Sequence, residues 1–69
     1  MNTTTSIESL LDSAELAALL NVPERSLAQW AYRGVGPPYV KVGRHRRYRP
    51  EDVERWLERQ TRGGPDAAA

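Results

Sequence analysis

The sequence contains no cysteine and a single histidine, His45. Without cysteine the chain can form neither a disulfide nor a thiolate metal site. With one histidine and no CxxC or HExxH pattern, we expect no metal, no cofactor and no small-molecule ligand. No apolar run approaches the roughly 20 residues that a bilayer-spanning helix needs, and the first residues lack the basic-then-apolar pattern of a secretory signal. We therefore expect a soluble, cytoplasmic protein that contacts no membrane.

A chain of 69 residues has room for one domain, and a domain of this size buries only about 60% of the surface that its unfolded form exposes. The opening MNTTTS, residues 1–6, is polar and aperiodic, and we expect a disordered lead there. The closing TRGGPDAAA, residues 61–69, combines paired glycines with a proline, and we expect a disordered tail. The predicted folded domain is residues 7–60.

The net charge of +1 hides an uneven distribution along the chain. Residues 23–49 carry seven basic side chains against one acid, a net charge of +6, whereas residues 1–22 carry −3 and residues 50–69 carry −2. A segregated basic segment is typical of a protein that binds a polyanion, because each lysine or arginine placed on a phosphate releases condensed counterions. The alternative is a charged face that is simply solvated.

The segment LLDSAELAALL predicts the first helix. Asp12 and Glu15 have the spacing of a capping box, in which each side chain accepts a hydrogen bond from the other residue's backbone. Leu16, Leu19 and Leu20 follow at the i, i+3, i+4 spacing of one helical face, which we expect to be buried. We expect this helix to end at Asn21.

The segment NVPERSLAQWAYRG predicts a second helix, with Pro23 at its first helical position and Gly34 just after its end. Leu27, Trp30 and Ala31 form its core stripe. The opposite face carries Arg25, Gln29 and Tyr32, flanked by Ala28 and Arg33. Only Asn21 and Val22 separate the two helices, and this spacing predicts a helix-turn-helix.

The prolines of GVGPP interrupt regular structure, and YVKVGRHRRYR then predicts a β-hairpin. With Gly43 and Arg44 as a two-residue type II′ turn, Val42 pairs with His45 and Tyr39 with Tyr48. One face then carries Tyr39, Lys41, Arg46 and Tyr48, and the other carries Val40, Val42, His45 and Arg47. A three-residue loop would shift this register by one residue.

The segment PEDVERWLERQ predicts the last helix, opened by Pro50, with a stripe of Val53, Trp56 and Leu57. We expect this stripe, the leucines and one tyrosine to close the core, with Trp30 and Trp56 as core anchors. The predicted fold is mostly α, a winged helix-turn-helix of three helices and a two-stranded wing. Its carboxylates lie on solvated helix faces and form no nucleophile–base pair, so we expect no catalytic site. A protein-interaction module that uses the leucine-rich face is a further alternative.

The succession from ELAALLNVPERSLAQW through YVKVGRHRRYRPEDVERWL resembles the small excisionase-like members of the MerR-type winged-helix superfamily. The resemblance covers residues 12–59, and the size and arginine content are similar to those of an actinobacteriophage-type excisionase, or recombination directionality factor. It implies a protein that binds repeated sites at phage attachment DNA, bends the DNA and directs a tyrosine integrase towards excision. The implied partners are double-stranded DNA, the integrase and further copies of the chain bound cooperatively. A small transcriptional regulator similar to AlpA-type activators has the same fold, and the sequence does not separate the two.

The resemblance places residues 23–33 in the major groove and residues 39–48, the wing, over the adjacent minor groove. On the recognition helix the predicted DNA-binding residues are Arg25, Ser26, Gln29, Tyr32 and Arg33. On the wing they are Lys41, Arg44, His45, Arg46 and Arg47.

Each of these residue types suits a particular contact with DNA. Arg25 can read guanine O6 and N7, and Gln29 can read adenine N6 and N7. The alternative for Arg25 is a solvated side chain paired with Glu24, or a contact with phosphate only. Ser26 suits a phosphate, through its hydroxyl and backbone N–H, or only a helix start. Tyr32 suits phosphate or sugar, or packing on the wing. Arg44, at the hairpin tip, suits the minor groove.

Phosphate contact is expected from Lys41, Arg46 and Arg47, whose alternative role is to keep a hairpin edge soluble. Many members of the resembled family have valine or isoleucine at the position of Arg46. Whether Arg46 contacts phosphate or snorkels along the wing is open at this stage. His45 has no second ligand or acid nearby in sequence, so we expect neither a catalytic nor a metal-binding role for it.

Overall fold

The computed structural model describes residues 7–63. A short 3₁₀ turn, Ile7–Ser9, precedes helix α1 (Ser13–Leu20) and helix α2 (Glu24–Arg33). Strands β1 (Val40–Val42) and β2 (His45–Arg47) form an antiparallel hairpin, and helix α3 (Pro50–Gln60) follows. The predicted fold class, three helices with a two-stranded wing, is confirmed. The predicted lead and residues 64–69 of the predicted tail lie outside the described residues, and the domain limits stay a prediction.

Helix α1 begins with the predicted capping box. The Glu15 N–H donates to Asp12 Oδ1 at 2.7 Å, and the Asp12 N–H donates to Glu15 Oε1 at 2.9 Å. The last helical residue is Leu20, and Asn21 is the left-handed C-cap with a φ of 59°. The prediction that Leu19 is buried was wrong, because its side chain is 70% exposed. Leucine and alanine surround this short helix on all sides, so spacing alone did not identify the core face, which is formed by residues 16, 17 and 20.

Helix α2 starts one residue later than predicted. Pro23 is its N-cap, not its first helical residue: the φ of −65° suits a helix, but the ψ of 145° is extended. Gly34 ends the helix in the left-handed conformation, with a φ of 76°. Leu27 is buried, and Trp30 and Ala31 are half-buried, so the predicted core stripe faces inward. The turn between the helices closes where the Val22 N–H donates to the Ala17 carbonyl at 3.0 Å.

The hairpin has the predicted register, with Val42 opposite His45 and Val40 opposite Arg47. Gly43 has a φ of 63°, and no positive φ occurs at Arg44, a combination that fits the predicted type II′ turn and excludes type I′. The three-residue loop is therefore not formed.

An N-terminal segment pairs with the end of the wing, which the sequence did not predict. The Leu11 N–H donates to the Tyr48 carbonyl at 2.9 Å, and the Tyr48 N–H donates to the Leu11 carbonyl at 2.8 Å. These two bonds form an isolated antiparallel bridge. Because Leu11 immediately precedes the capping box, the bridge holds the start of α1 beside strand β2.

The core consists of side chains from every helix and from the end of the wing: Leu16, Ala17, Leu27, Tyr48 and Val53. Tyr48 is 1% exposed and is the predicted tyrosine of the core. Trp30 packs against this cluster, and its ring centroid lies 5.7 Å from that of Trp56. Both tryptophans are half-buried, so they form the rim of the core and not its centre. Leu57, predicted to be buried, is 41% exposed, because α3 turns its Val53 and Trp56 side inward.

None of the helices within residues 7–63 has the length and apolar composition needed to cross a membrane.

Candidate nucleic-acid interface

The outward face of α2 presents a continuous row of exposed side chains. Arg25, Gln29 and Tyr32 recur at the i, i+4, i+7 spacing of one helical face, and all three are exposed, as is Arg33. Tyr32 is 93% exposed, so it does not pack on the wing. The buried Leu27 lies on the opposite side and fixes which face points outward.

Ser26 differs from the other residues predicted on α2. Its side chain is half-buried, and its backbone N–H donates to the Pro23 carbonyl at 2.9 Å. That bond occupies the backbone donor that we expected to share a phosphate with the hydroxyl. Only the hydroxyl of Ser26 therefore remains for such a contact.

The basic side chains of the wing differ in their exposure to solvent. Lys41, Arg44 and His45 are exposed, and Arg44 lies in the turn at the tip. Arg46 and Arg47 are half-buried. Arg47 also donates from Nη1 to the Arg46 carbonyl at 2.9 Å, so its guanidinium is held against the backbone of its own strand.

Arg46 packs against the aromatic side chains at the base of the wing. Its guanidinium lies over the Tyr39 ring, 5.9 Å from the centroid, and the Tyr39 and Tyr48 rings meet edge to face at 6.1 Å. Its Nε atom is buried and has no hydrogen-bond acceptor in the described part of the chain. A guanidinium stacked on a ring contributes through cation–π attraction. Arg46 therefore packs along the wing and connects it to the core through the two tyrosines; whether it also contacts phosphate stays a prediction.

Strand β2 and the starts of both helix-turn-helix helices line one polar cleft. Its walls are Asp12 and Ser13 at the start of α1, Glu24 at the start of α2, and residues 44–47 of the wing. The Leu11–Tyr48 bridge produces this arrangement by placing the start of α1 next to β2. Sequence reasoning did not predict that Asp12, Ser13 and Glu24 border the wing, since no local signal reports a contact between segments so far apart in the chain.

The two acids of this cleft moderate the charge of the wing. The Asp12 carboxylate accepts the Glu15 N–H in the capping box, so its position is fixed by α1 and not by the arginines. Glu24 occupies the first turn of α2, where a negative charge complements the helix dipole. The cleft is therefore polar and lined by groups of both signs, with its arginines all on the wing.

Outside the cleft, Asp52 at the start of α3 joins two arginines. It accepts from Arg49 Nη1 at 3.4 Å and from Arg55 Nη2 at 2.5 Å. Exposed ion pairs of this kind contribute at most about 1 kcal/mol to stability. They also pair Arg49, the last cation of the basic segment, with the first turn of α3. In the described residues, no three histidine, cysteine, aspartate or glutamate side chains come together as a metal site.

A family match emerges from comparison with known proteins. The model of a family described as a helix-turn-helix domain matches residues 10–61, three quarters of the chain, and includes all three helices and the hairpin. A search of curated proteins finds no significant match.

Proposed function

Because the chain belongs to the helix-turn-helix domain family, which includes small excisionase-like and AlpA-like DNA-binding proteins, we propose that α2 enters the major groove of duplex DNA and that the hairpin lies over the adjacent minor groove. The observation that carries this proposal is the exposure of Arg25, Gln29 and Arg33 on α2, together with the polar cleft in which the start of α2 borders strand β2. A helix that reads a major groove needs neighbouring phosphate contacts to hold its register.

The exposed side chains of α2 contact the base edges. Arg25, in the first turn, is placed to donate two hydrogen bonds to guanine O6 and N7, and Gln29, one turn later, to pair with adenine N6 and N7. Both side chains are exposed and lie on the side opposite the buried Leu27. Ser26, through its hydroxyl, and Arg33, at the end of the helix, bind phosphates that flank these bases.

The wing contacts the phosphate backbone and the minor groove of the DNA. Arg44 at the exposed tip enters the minor groove, whose negative potential attracts an inserted arginine. Lys41 and His45 lie next to it on the hairpin and contact phosphates. Arg46 and Arg47 pack deeper against the wing and hold their charges near the same DNA phosphates. Because these side chains are already held in place, they lose less conformational entropy when DNA binds.

In the cell, the role we propose is that of an excisionase. It binds repeated sites at phage attachment DNA, bends the DNA, and directs a tyrosine integrase towards excision. Support comes from the family, from the basic segment of +6, and from a wing suited to minor-groove insertion, which favours bent DNA. A small AlpA-like transcriptional regulator is the second candidate, because the same family includes such proteins and the same side chains would contact DNA.

A recombination assay separates these two roles. The full 69-residue chain is added to purified integrase with DNA carrying the left and right attachment sites, and the excised product is measured. An excisionase stimulates excision and inhibits the reverse reaction, and Arg44→Ala loses most of this effect, whereas Arg62→Ala, which removes the same charge beyond α3, keeps it. A protein that binds the DNA and changes promoter activity without changing recombination is a regulator. Absence of any salt-dependent DNA binding would contradict both roles.

A further inference from the structure

The second half of α2 carries a shallow, mostly apolar recess on its exposed side. Ala28 and Tyr32 lie one turn apart and form an apolar row, and Gln29 and Arg33, also one turn apart, form a polar row beside it. These four residues line the recess. Ala28 and the Tyr32 ring supply its apolar lining, and Tyr32 is 93% exposed.

Only one group on a base edge in the major groove is apolar, the 5-methyl group of thymine. Because Ala28 lacks any side chain beyond Cβ, a base edge can approach the helix closely at this position. The adjacent Gln29 suits adenine, so the two rows together match the edge of an A·T-containing step. On the basis of the proposed function, we propose that the recess holds the 5-methyl group of a thymine at, or one base step from, the adenine read by Gln29.

This assignment gives Tyr32 a specificity role through its ring. A phosphate contact would need the hydroxyl, whereas a methyl contact needs only the apolar ring surface. The conservative change Tyr32→Phe removes the hydroxyl and keeps the ring, and Tyr32→Ala removes both. Since the side chain is almost fully exposed, both variants retain the fold, which thermal melting checks.

The test uses the full chain and a library of duplexes with a random core. Sequences are selected by binding, and each thymine of the selected site is then replaced singly by uracil, which lacks only the 5-methyl group. Burial of one methyl group corresponds to about a fourfold change in affinity. For the unmodified protein and for Tyr32→Phe, we expect uracil at one thymine position to lower the affinity by about that factor. For Tyr32→Ala we expect no loss of affinity at that position. Uracil at thymines away from α2 is expected to leave the affinity of all three proteins unchanged.

The contrary results are distinct. If a site is selected but no thymine is sensitive to uracil, or if Tyr32→Ala shows the same sensitivity as the unmodified protein, the recess does not hold the methyl group and the proposed DNA-binding function stands. If the sensitivity depends on the hydroxyl and disappears in Tyr32→Phe, the ring contact is likewise overturned. If the selection enriches no sequence at all, the proposed function fails and this inference fails with it.

Discussion

Tyr48 and Tyr32 show how differently one residue type is used in this small domain. Tyr48 is 1% exposed and belongs both to the core and to the base of the wing, where its backbone pairs with Leu11. Tyr32 is 93% exposed on the outward face of α2. The first side chain therefore contributes to folding, and the second is available for a partner.

Replacement of Tyr48 by alanine is expected to destabilise the domain by about 3–5 kcal/mol, the usual cost of removing a buried aromatic side chain. A core of this size supplies on the order of 3–5 kcal/mol in total, so we expect Tyr48→Ala to be largely unfolded at 25 °C. Tyr32→Ala is the matched control, with an expected change within about 0.5 kcal/mol. Chemical denaturation followed by circular dichroism measures both. A stable Tyr48→Ala variant would show that the wing is not tied to the core through this ring.

Arg25 tests base reading separately from phosphate binding. Arg25→Ala is expected to cost about 1–3 kcal/mol on the specific site and much less on random DNA, because only the specific site offers the guanine edge. Competition binding with the two DNAs at one salt concentration gives the comparison, and Arg62→Ala controls for the lost charge. Equal losses on both DNAs would mean that Arg25 touches phosphate alone.

At the scale of the elements, the position of the hairpin is fixed by the link from α2 and by the bridge to the segment before α1. Gly36, in the link from α2, has a φ of 88°, and a Cβ there would lie 2.9 Å from the Cβ of Trp30. At the other end, the Leu11–Tyr48 bridge joins the hairpin to the start of α1. The wing is therefore held at a defined place relative to α2, as the proposed shared DNA site requires.

The salt dependence of DNA binding measures how much the wing contributes to it. Arg44→Ala and Arg47→Ala are each expected to weaken binding and to reduce the slope of log K against log salt by about one unit for each lost phosphate contact. Arg62→Ala is expected to leave the slope nearly unchanged, because it removes a charge beyond the end of α3. If both wing variants bind with unchanged affinity and slope, the hairpin is not part of the interface.

At the scale of the whole molecule, the proposed interface of one helix and one wing would cover few base pairs, too few for adequate specificity in a genome. Within residues 7–63 the longest helix has 11 residues, which is too short for a stable coiled-coil dimer. The uneven charge, negative in residues 1–22 and 50–69 and positive between them, suits a head-to-tail contact between neighbouring copies. Such a heterologous contact leaves both ends open for further copies.

We therefore expect cooperative binding to direct repeats spaced about one helical turn apart, with net curvature of the DNA. Gel shifts on duplexes with one, two and three repeats measure the cooperativity, and circularly permuted fragments measure the bend. A control duplex with half a turn inserted between repeats puts neighbouring copies on opposite faces, so we expect it to lose the cooperativity. Independent filling of the repeats without a mobility anomaly would favour the simple regulator over the excisionase.

Local features of the sequence determined much of this fold. The capping box of Asp12 and Glu15, the glycine at the end of α2 and the register around Gly43 were all predicted and are all formed. Each depends on backbone conformations and hydrogen bonds among residues a few positions apart, so the residue types themselves carry the information. The outward row on α2 was also readable, because helical spacing follows directly from residue number.

The tertiary structure alone decided which side of α1 is buried and what borders the wing. Leucine and alanine occupy every side of α1, so only its packing against α2 and the core distinguished Leu16 from the exposed Leu19. The Leu11–Tyr48 bridge, and with it the cleft that brings Ser13 and Glu24 to strand β2, joins segments separated by most of the domain. Such contacts are selected by the total burial and hydrogen bonding of the folded chain, a free-energy balance that no short stretch of sequence contains.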